Sequence, residues 1–192
     1  MTGKRFGSAL GIAALTIAGA ISVTAPADAE QSTFAEQVGG HCALNTATGE
    51  NACFANFAEA IEHASNGRVR NAPTDFRMAL ASQELRDRLA VDAGQANGEV
   101  IQGTVFDNRD YGGDSLTIYG EAPCKKDGVV NFQLDLEDGW KDRISSVQPW
   151  ANCWLWLYPD VNLGGERDGP FDENTPWVGE MLDDRTKSIG FS

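Results

Sequence analysis

The chain has 192 residues, with 15 Lys plus Arg against 28 Asp plus Glu and a formal net charge of −13 at pH 7. An acid surplus of this size argues against binding nucleic acid, whose phosphates call for clustered Lys and Arg. It favours solubility and the attraction of cations or basic partners.

At the start, Lys4 and Arg5 precede an apolar run from Ala9 to Ile21, and Ala27-Asp28-Ala29 forms a small-x-small cleavage signal before Glu30. Residues 1–29 therefore read as a secretory signal peptide, since the apolar run is too short and alanine-rich to span a bilayer. The expected product is a secreted protein with no membrane attachment after cleavage. Losing two of the basic and one of the acidic residues leaves 13 and 27, a net charge of −14. Residues 30–39 follow as a leader without a pattern that demands order.

Four cysteines remain after the signal: Cys42, Cys53, Cys124 and Cys153. In an oxidising compartment an even count reads as two disulfides with three possible connectivities. Cys42–Cys53 and Cys124–Cys153 are expected, because each pair lies within one compositional segment. Loops of this length typically gain about 3 to 4 kcal/mol from closure. A zinc site is poorly supported, because no pair has C-x₂-C spacing and only His41 and His63 could assist.

Between Cys42 and Cys53, the segment Thr48-Gly49-Glu50-Asn51 predicts a turn in a small disulfide-closed hairpin or loop. Phe54, Phe57, Ala58, Ile61 and Ala64 then recur at helical spacing up to Asn66-Gly67. A second helix is predicted after Pro73, with Thr74 as N-cap and Phe76, Leu80, Leu85 and Leu89 as its apolar points, ending near Gly94. This region has no Trp or Tyr and too few large apolar side chains for a substantial core of its own. Residues 30–95 are accordingly read as an accessory helical and disulfide segment, with Gly94–Gly98 as the linker.

From Val100 onward the composition changes to β-rich, and all five tryptophans and all three tyrosines lie here. Gln102–Phe106 and Ser115–Tyr119 read as strands around a turn at Asn108–Gly113. Cys153–Tyr158 reads as a core strand ended by Pro159-Asp160. Trp154 and Trp156 are placed on opposite sides of that strand, one of them in the core.

An internal repeat runs through this half. Phe106, Tyr111 and Gly113 share their spacing with Tyr158, Leu163 and Gly165, and Ser145-Ser146 answers Lys187-Ser188. The first copy is about ten residues longer, and the excess falls between Cys124 and Asp138, where a protein-specific loop is expected. Each copy ends in an acidic segment, Trp140-Lys141-Asp142-Arg143-Ile144-Ser145-Ser146 and Leu182-Asp183-Asp184-Arg185-Thr186-Lys187-Ser188. Carboxylates, exposed carbonyls and hydroxyls so arranged suit a hard cation such as Ca²⁺. Taken alone, Asp142–Ser146 reads as a polar turn; the matching copy is what raises the metal reading beside it. No catalytic residue is assigned: His41 and His63 have no neighbouring nucleophile, and Ser145-Ser146 lacks a nucleophile-elbow context.

These spacings resemble the βγ-crystallin double Greek key, whose signature is an aromatic, four residues, an aromatic, any residue and Gly, followed by an acidic Ser/Thr-Ser segment. Phe106-x₄-Tyr111-x-Gly113 fits fully, whereas the second copy has Leu163 in place of the second aromatic and Lys141 departs from the acidic first position. The resemblance covers residues 100–192 and implies a mainly β fold with a double Greek-key β-sandwich there. By the same resemblance, one Ca²⁺ site would comprise the carbonyls of Asp107 and Arg143, the Ser145 hydroxyl and the Asp184 carboxylate. The second site would take the carbonyls of Pro159 and Arg185, the side chain of residue 187 and Asp142. Lys187 offers no oxygen and brings a positive charge, so that site is expected to be lost, with Lys187 paired to Asp142. The implied function is a monomeric, non-enzymatic, calcium-stabilised extracellular module. The alternatives are a secreted inhibitor of proteases, metalloproteases included, contacting its target through residues 125–138, or a killer-toxin-like antimicrobial protein.

Overall fold

The computed structural model describes residues 40–95 and 99–192, the side chains of 91–95 excepted. The expected signal peptide at 1–29, the leader at 30–39 and residues 96–98 of the expected linker lie outside the described residues. The protein is mainly β, with nine strands in two sheets among the described residues. They are β1 (His41–Asn45), β2 (Asn51–Phe54), β3 (Val100–Phe106), β4 (Ser115–Gly120), β5 (Phe132–Asp135), β6 (Ser146–Pro149), β7 (Leu155–Tyr158), β8 (Asp168–Phe171) and β9 (Ser188–Phe191). The helices are α1 (Phe57–Ala64), α2 (Phe76–Ala81) and α3 (Gln83–Gln95).

The first sheet has the order β2-β1-β4-β3-β6 and the second β5-β9-β7-β8. In the first repeat β3 and β4 form a hairpin, the chain crosses to the other sheet as β5, and it returns as β6 beside β3. The second repeat mirrors this: β7 and β8 pair, Thr175 reaches across to bridge Val147 of β6, and β9 returns beside β7. Each half thus contributes an outer segment to the other's sheet. Between the sheets lie Val105, Leu116, Ile118, Ile144, Val147, Leu155, Leu157, Leu182, Ile189 and Phe191. Both expected disulfides, Cys42–Cys53 and Cys124–Cys153, are formed.

The segment 41–54 is more than an appendage. Its hairpin extends the first sheet, β1 running parallel to β4 from His41 opposite Ser115 to Asn45 opposite Tyr119. The composition shift near 95–100 therefore does not separate two cores. The helices cover the outer face of the same sheet, packing Phe57, Ile61, Phe76, Leu85 and Leu89 against Ile101, Phe106 and Tyr119. This is why β3 and β4 are buried on both faces and why the first region needs few large side chains of its own.

Local chemistry sets the helix ends. The Asn56 side chain accepts from the Glu59 N–H at 3.1 Å to start α1, and Asn66 and Gly67 turn left-handed after it, at φ 50° and 73°, a conformation these residue types tolerate. The single helix expected after Pro73 is two. Asp75, not Thr74, caps α2 by accepting from Met78 N–H at 3.0 Å. Ser82 is extended, with ψ 103°, and its hydroxyl accepts from Leu85 N–H at 3.1 Å, so a hydroxyl able to cap a new helix breaks the apolar periodicity there.

The expected placement of Trp154 and Trp156 on opposite faces does not hold. Residues two apart on a strand share a face; both tryptophans lie half-buried on the outer side, while Leu155 and Leu157 are fully buried between the sheets. The insertion after Cys124 is also shorter as a loop than expected. Residues 132–135 pair with β9, leaving 125–131 as the irregular part, with Val129 64% exposed at its tip.

The shared sheet makes the helices and the sandwich one cooperative unit. Phe57→Ala empties a fully buried site in α1 and is expected to cost about 3 to 5 kcal/mol. All five tryptophans lie beyond residue 139, and only Trp150 among them packs against the helical cluster, so intrinsic fluorescence of a Trp150→Phe background reports the sandwich. Urea unfolding followed by that fluorescence should show the loss; an unmoved midpoint would mean that the helices fold independently.

Candidate functional site

Two loops, 136–146 and 178–188, meet back to back between the sheets and follow the same plan. The Asp142 N–H donates to Thr186 O at 2.9 Å, and the Asp184 N–H donates to Ile144 O at 3.1 Å. Asp142 and Asp184 both adopt left-handed backbone, at φ 57° and 54°, which Asp accepts more readily than most side chains. Ser145 N–H donates to Phe106 O at 2.8 Å, and Lys187 N–H donates to Tyr158 O at 2.8 Å. The two acidic segments are therefore related by an approximate twofold, each lying beside the end of its own repeat's first strand.

The turns after β3 and β7 repeat the symmetry. Asp110, Tyr111 and Gly113 have φ 56°, 58° and 73°, and Asn162, Leu163 and Gly165 have φ 55°, 56° and 80°. A Cβ on Gly113 would collide with the Asp107 carboxylate, and one on Gly165 with the Pro159 ring. Glycine is required at both places by its backbone and by its neighbours. The Ser146 hydroxyl accepts from Tyr111 N–H and donates to Asn108 O, at 3.1 and 2.7 Å. Ser188 does the same with Leu163 N–H and Asp160 O, at 3.1 and 2.6 Å. The last serine of each segment is thus a buried structural clasp.

At the first expected site the structure brings Ser145 and Asp184 together across 39 positions of sequence. The hydroxyl oxygen lies 3.4 Å from a carboxylate oxygen of Asp184, well beyond the usual O–H···O length of about 2.7 Å. Ser145 is buried, whereas Asp184 is exposed and has no ion-pair partner among the described residues. Asp107 and Arg143, the expected carbonyl ligands, are linked through their side chains. The Arg143 guanidinium donates to the Asp107 carboxylate at 2.7 Å and to Asp114 at 2.9 Å, and it lies 5.0 Å from the Trp140 ring centroid. Among the described residues neither the Asp107 nor the Arg143 carbonyl accepts a hydrogen bond.

At the second expected site the Lys187 ammonium lies among the ligands. It donates to the Pro159 carbonyl at 2.8 Å and stands 3.5 Å from the Asp142 carboxylate. Two of the four groups assigned to a metal thus face a side-chain cation. Arg185, whose carbonyl was the fourth, is exposed. Lys141, at the first position of its segment, pairs outward with Asp138 at 2.7 Å.

Several residues at the first site carry no signal in the sequence. Arg109 pairs with Asp183 at 2.5 Å and stacks 4.3 Å from the centroid of Trp177. Burial works to raise the Asp183 carboxyl, but the neighbouring Ser145, Arg109 and Trp177 hold it below the ordinary carboxylate value of 3.8. One of its oxygens accepts from Arg109, and the other is buried without a hydrogen-bond partner among the described residues. These residues lie up to 74 positions apart, so only the folded topology could join them. Asp114 follows Gly113 directly, yet nothing in the spacing marks it as Arg143's second partner. Among the described residues no group of three or more His, Cys, Asp or Glu is arranged to hold a metal ion. Any ion here would depend on carbonyl and hydroxyl oxygens beside the single carboxylate of Asp184.

No protein-family model and no curated protein sequence matches the chain. Among solved structures, it is similar to a βγ-crystallin domain from Clostridium beijerinckii, at 20% identity and TM-score 0.37, covering 47% of this chain and 95% of that one. A βγ-crystallin domain from Flavobacterium johnsoniae is similar at 22% identity and TM-score 0.36, over 47% of this chain and 92% of that one. The N-terminal domain of protein S is similar at 20% identity and TM-score 0.36, over 47% and 94%. The architecture itself rests on the strand order: residues 100–192 form a double Greek-key β-sandwich, preceded by a helical segment closed by a disulfide.

Proposed function

We propose that this protein is a secreted, non-enzymatic module that binds one Ca²⁺ weakly, through the carbonyls of Asp107 and Arg143, the Ser145 hydroxyl and the Asp184 carboxylate, and is stabilised by it. The observation that carries this reading is the 3.4 Å separation of the Ser145 and Asp184 oxygens. That distance is long for a hydrogen bond, but two oxygens each about 2.4 Å from one Ca²⁺ and at right angles around it lie about 3.4 Å apart. The donor set is all oxygen, as a hard cation prefers, and has a single carboxylate. A set so poor in charge suits the affinities of extracellular calcium modules, roughly 10⁻⁴ to 10⁻³ M. Export is supported by the signal-peptide pattern and by two disulfides, and no described helix is long and apolar enough to cross a membrane.

Binding to the native state alone adds about 2.7 kcal/mol once calcium is a hundredfold above its dissociation constant. Thermal unfolding should therefore move upward in excess calcium relative to chelator, and calorimetric titration should give one site. Ser145→Ala and Asp184→Asn, the latter keeping a residue that tolerates the left-handed backbone, should each weaken the titration at least tenfold. Identical melts with calcium and with chelator would refute the reading.

The second site gives a complementary expectation. Lys187→Ser replaces the ammonium with a hydroxyl at the position that Ser145 holds in the other half, and the stoichiometry should rise from one to two. A titration that still gives one site would show that more than Lys187 keeps calcium out.

A further inference from the structure

A cleft of about 630 Å³ opens between α3 and the segments 123–126 and 148–153. It arises because α3 packs its Leu85 and Leu89 over the outer face of the first sheet toward β3, while the chain leaving β6 turns beside the Cys124–Cys153 bridge. The floor and walls are apolar: Leu89, Pro123, Pro149, Trp150 and the disulfide. Its volume falls in the range of small-molecule sites, roughly 300 to 1,000 Å³.

Charge distinguishes this cleft from a mere packing gap. Arg86 and Lys126 both line it. Arg70, Arg109, Lys141, Arg143 and Lys187 each meet a carboxylate within 4 Å; Arg86 and Lys126 belong with the described cations that do not, such as Arg77 and Arg167, and are set apart by standing together at an apolar cleft. Arg86 donates instead to the Leu80 carbonyl and to the Gln83 side chain, and Lys126 is exposed, 5.6 Å from the centroid of Trp154. In a chain of net charge −13, two cations without a carboxylate partner stand at an apolar cleft. Among the described residues Asp172 is the one acidic residue lining it, and it repels an anionic group from its own end, which favours one orientation of the ligand. Gln148 also lines the cleft, is 5% exposed and has a buried side-chain oxygen with no hydrogen-bond partner among the described residues.

We propose that this cleft binds a small apolar carboxylate, its hydrocarbon or aromatic body against Trp150 and Leu89 and its anionic group toward Lys126 and Arg86. None of these residues belongs to the calcium reading, so this site stands or falls independently of it. The apolar body gains from leaving water, and a charge-assisted contact to Lys126 supplies the preference for an anion.

The test is displacement of anilinonaphthalene sulfonate, an apolar aromatic anion, from the purified protein in chelator. The dye should bind saturably at one site, and decanoate should displace it at about one tenth the concentration that decanol needs, since about 1.4 kcal/mol separates a tenfold difference in affinity. Lys126→Glu should abolish decanoate's advantage over decanol. Ala90→Trp, at an exposed position of α3 on the cleft wall, should fill the site and abolish dye binding with little change in the thermal melt. If Ala90→Trp keeps its melt and still binds dye as before, the cleft is not the site. If decanol displaces as well as decanoate, or if Lys126→Glu leaves their difference intact, the anionic specificity is wrong.

Discussion

The reciprocal pair of backbone hydrogen bonds between the acidic loops, Asp142 to Thr186 and Asp184 to Ile144, is the constraint on which the sandwich turns. These bonds fix the two repeats about a common axis, so that each half's outer segment can complete the other's sheet. They also bring Asp184 to Ser145 and Lys187 to Asp142, residues that local structure alone would leave apart. Burial reinforces the arrangement: Ile144, Leu182 and Thr186 within the loops are fully buried, so neither loop can shift without opening the core.

Among the groups assigned as ligands, the two halves drawn from one plan differ in chemistry at the fifth position of the acidic segment. Ser145 places an oxygen where Lys187 places an ammonium. The surrounding frame of left-handed Asp, clasping serine and glycine turn is the same in both halves. The rest of the first site's character comes from charges that neutralise each other: Arg143 with Asp107 and Asp114, and Arg109 with Asp183. Asp184 is left as the carboxylate without a cation of its own.

Much of this was legible in the sequence because the repeat carries its own register. Phe106, Tyr111 and Gly113 against Tyr158, Leu163 and Gly165 encode a turn that only specific backbone angles satisfy, and the segments ending at Ser146 and Ser188 follow at an offset that exposes the insertion. The meeting of Ser145 with Asp184 and of Lys187 with Asp142 was legible only through the resemblance, since it requires the twofold relation between repeats. What could not be read was anything set by distant packing. That residues 41–45 run parallel to β4 depends on a sheet edge formed some 70 positions later, and composition alone made the first region look detached. The helix break at Ser82 was hidden because Leu80 and Leu85 keep an apolar stripe across it, while the decisive event is one hydroxyl choosing a backbone N–H. The Arg109 and Trp177 stack is a long-range pairing of two residue types common on any surface.

Lys187 gives the C-terminal half a positive charge that is covalently its own. A soluble ion must be recruited from the surroundings, can be stripped by a competitor and leaves when its concentration falls. The ammonium against Pro159 and Asp142 has no such dependence, and its cost in ordering the side chain is met once, at folding. The two halves of one symmetric frame therefore differ in their electrostatics: one carries its cation built in, and in the other the corresponding Ser145 brings no charge.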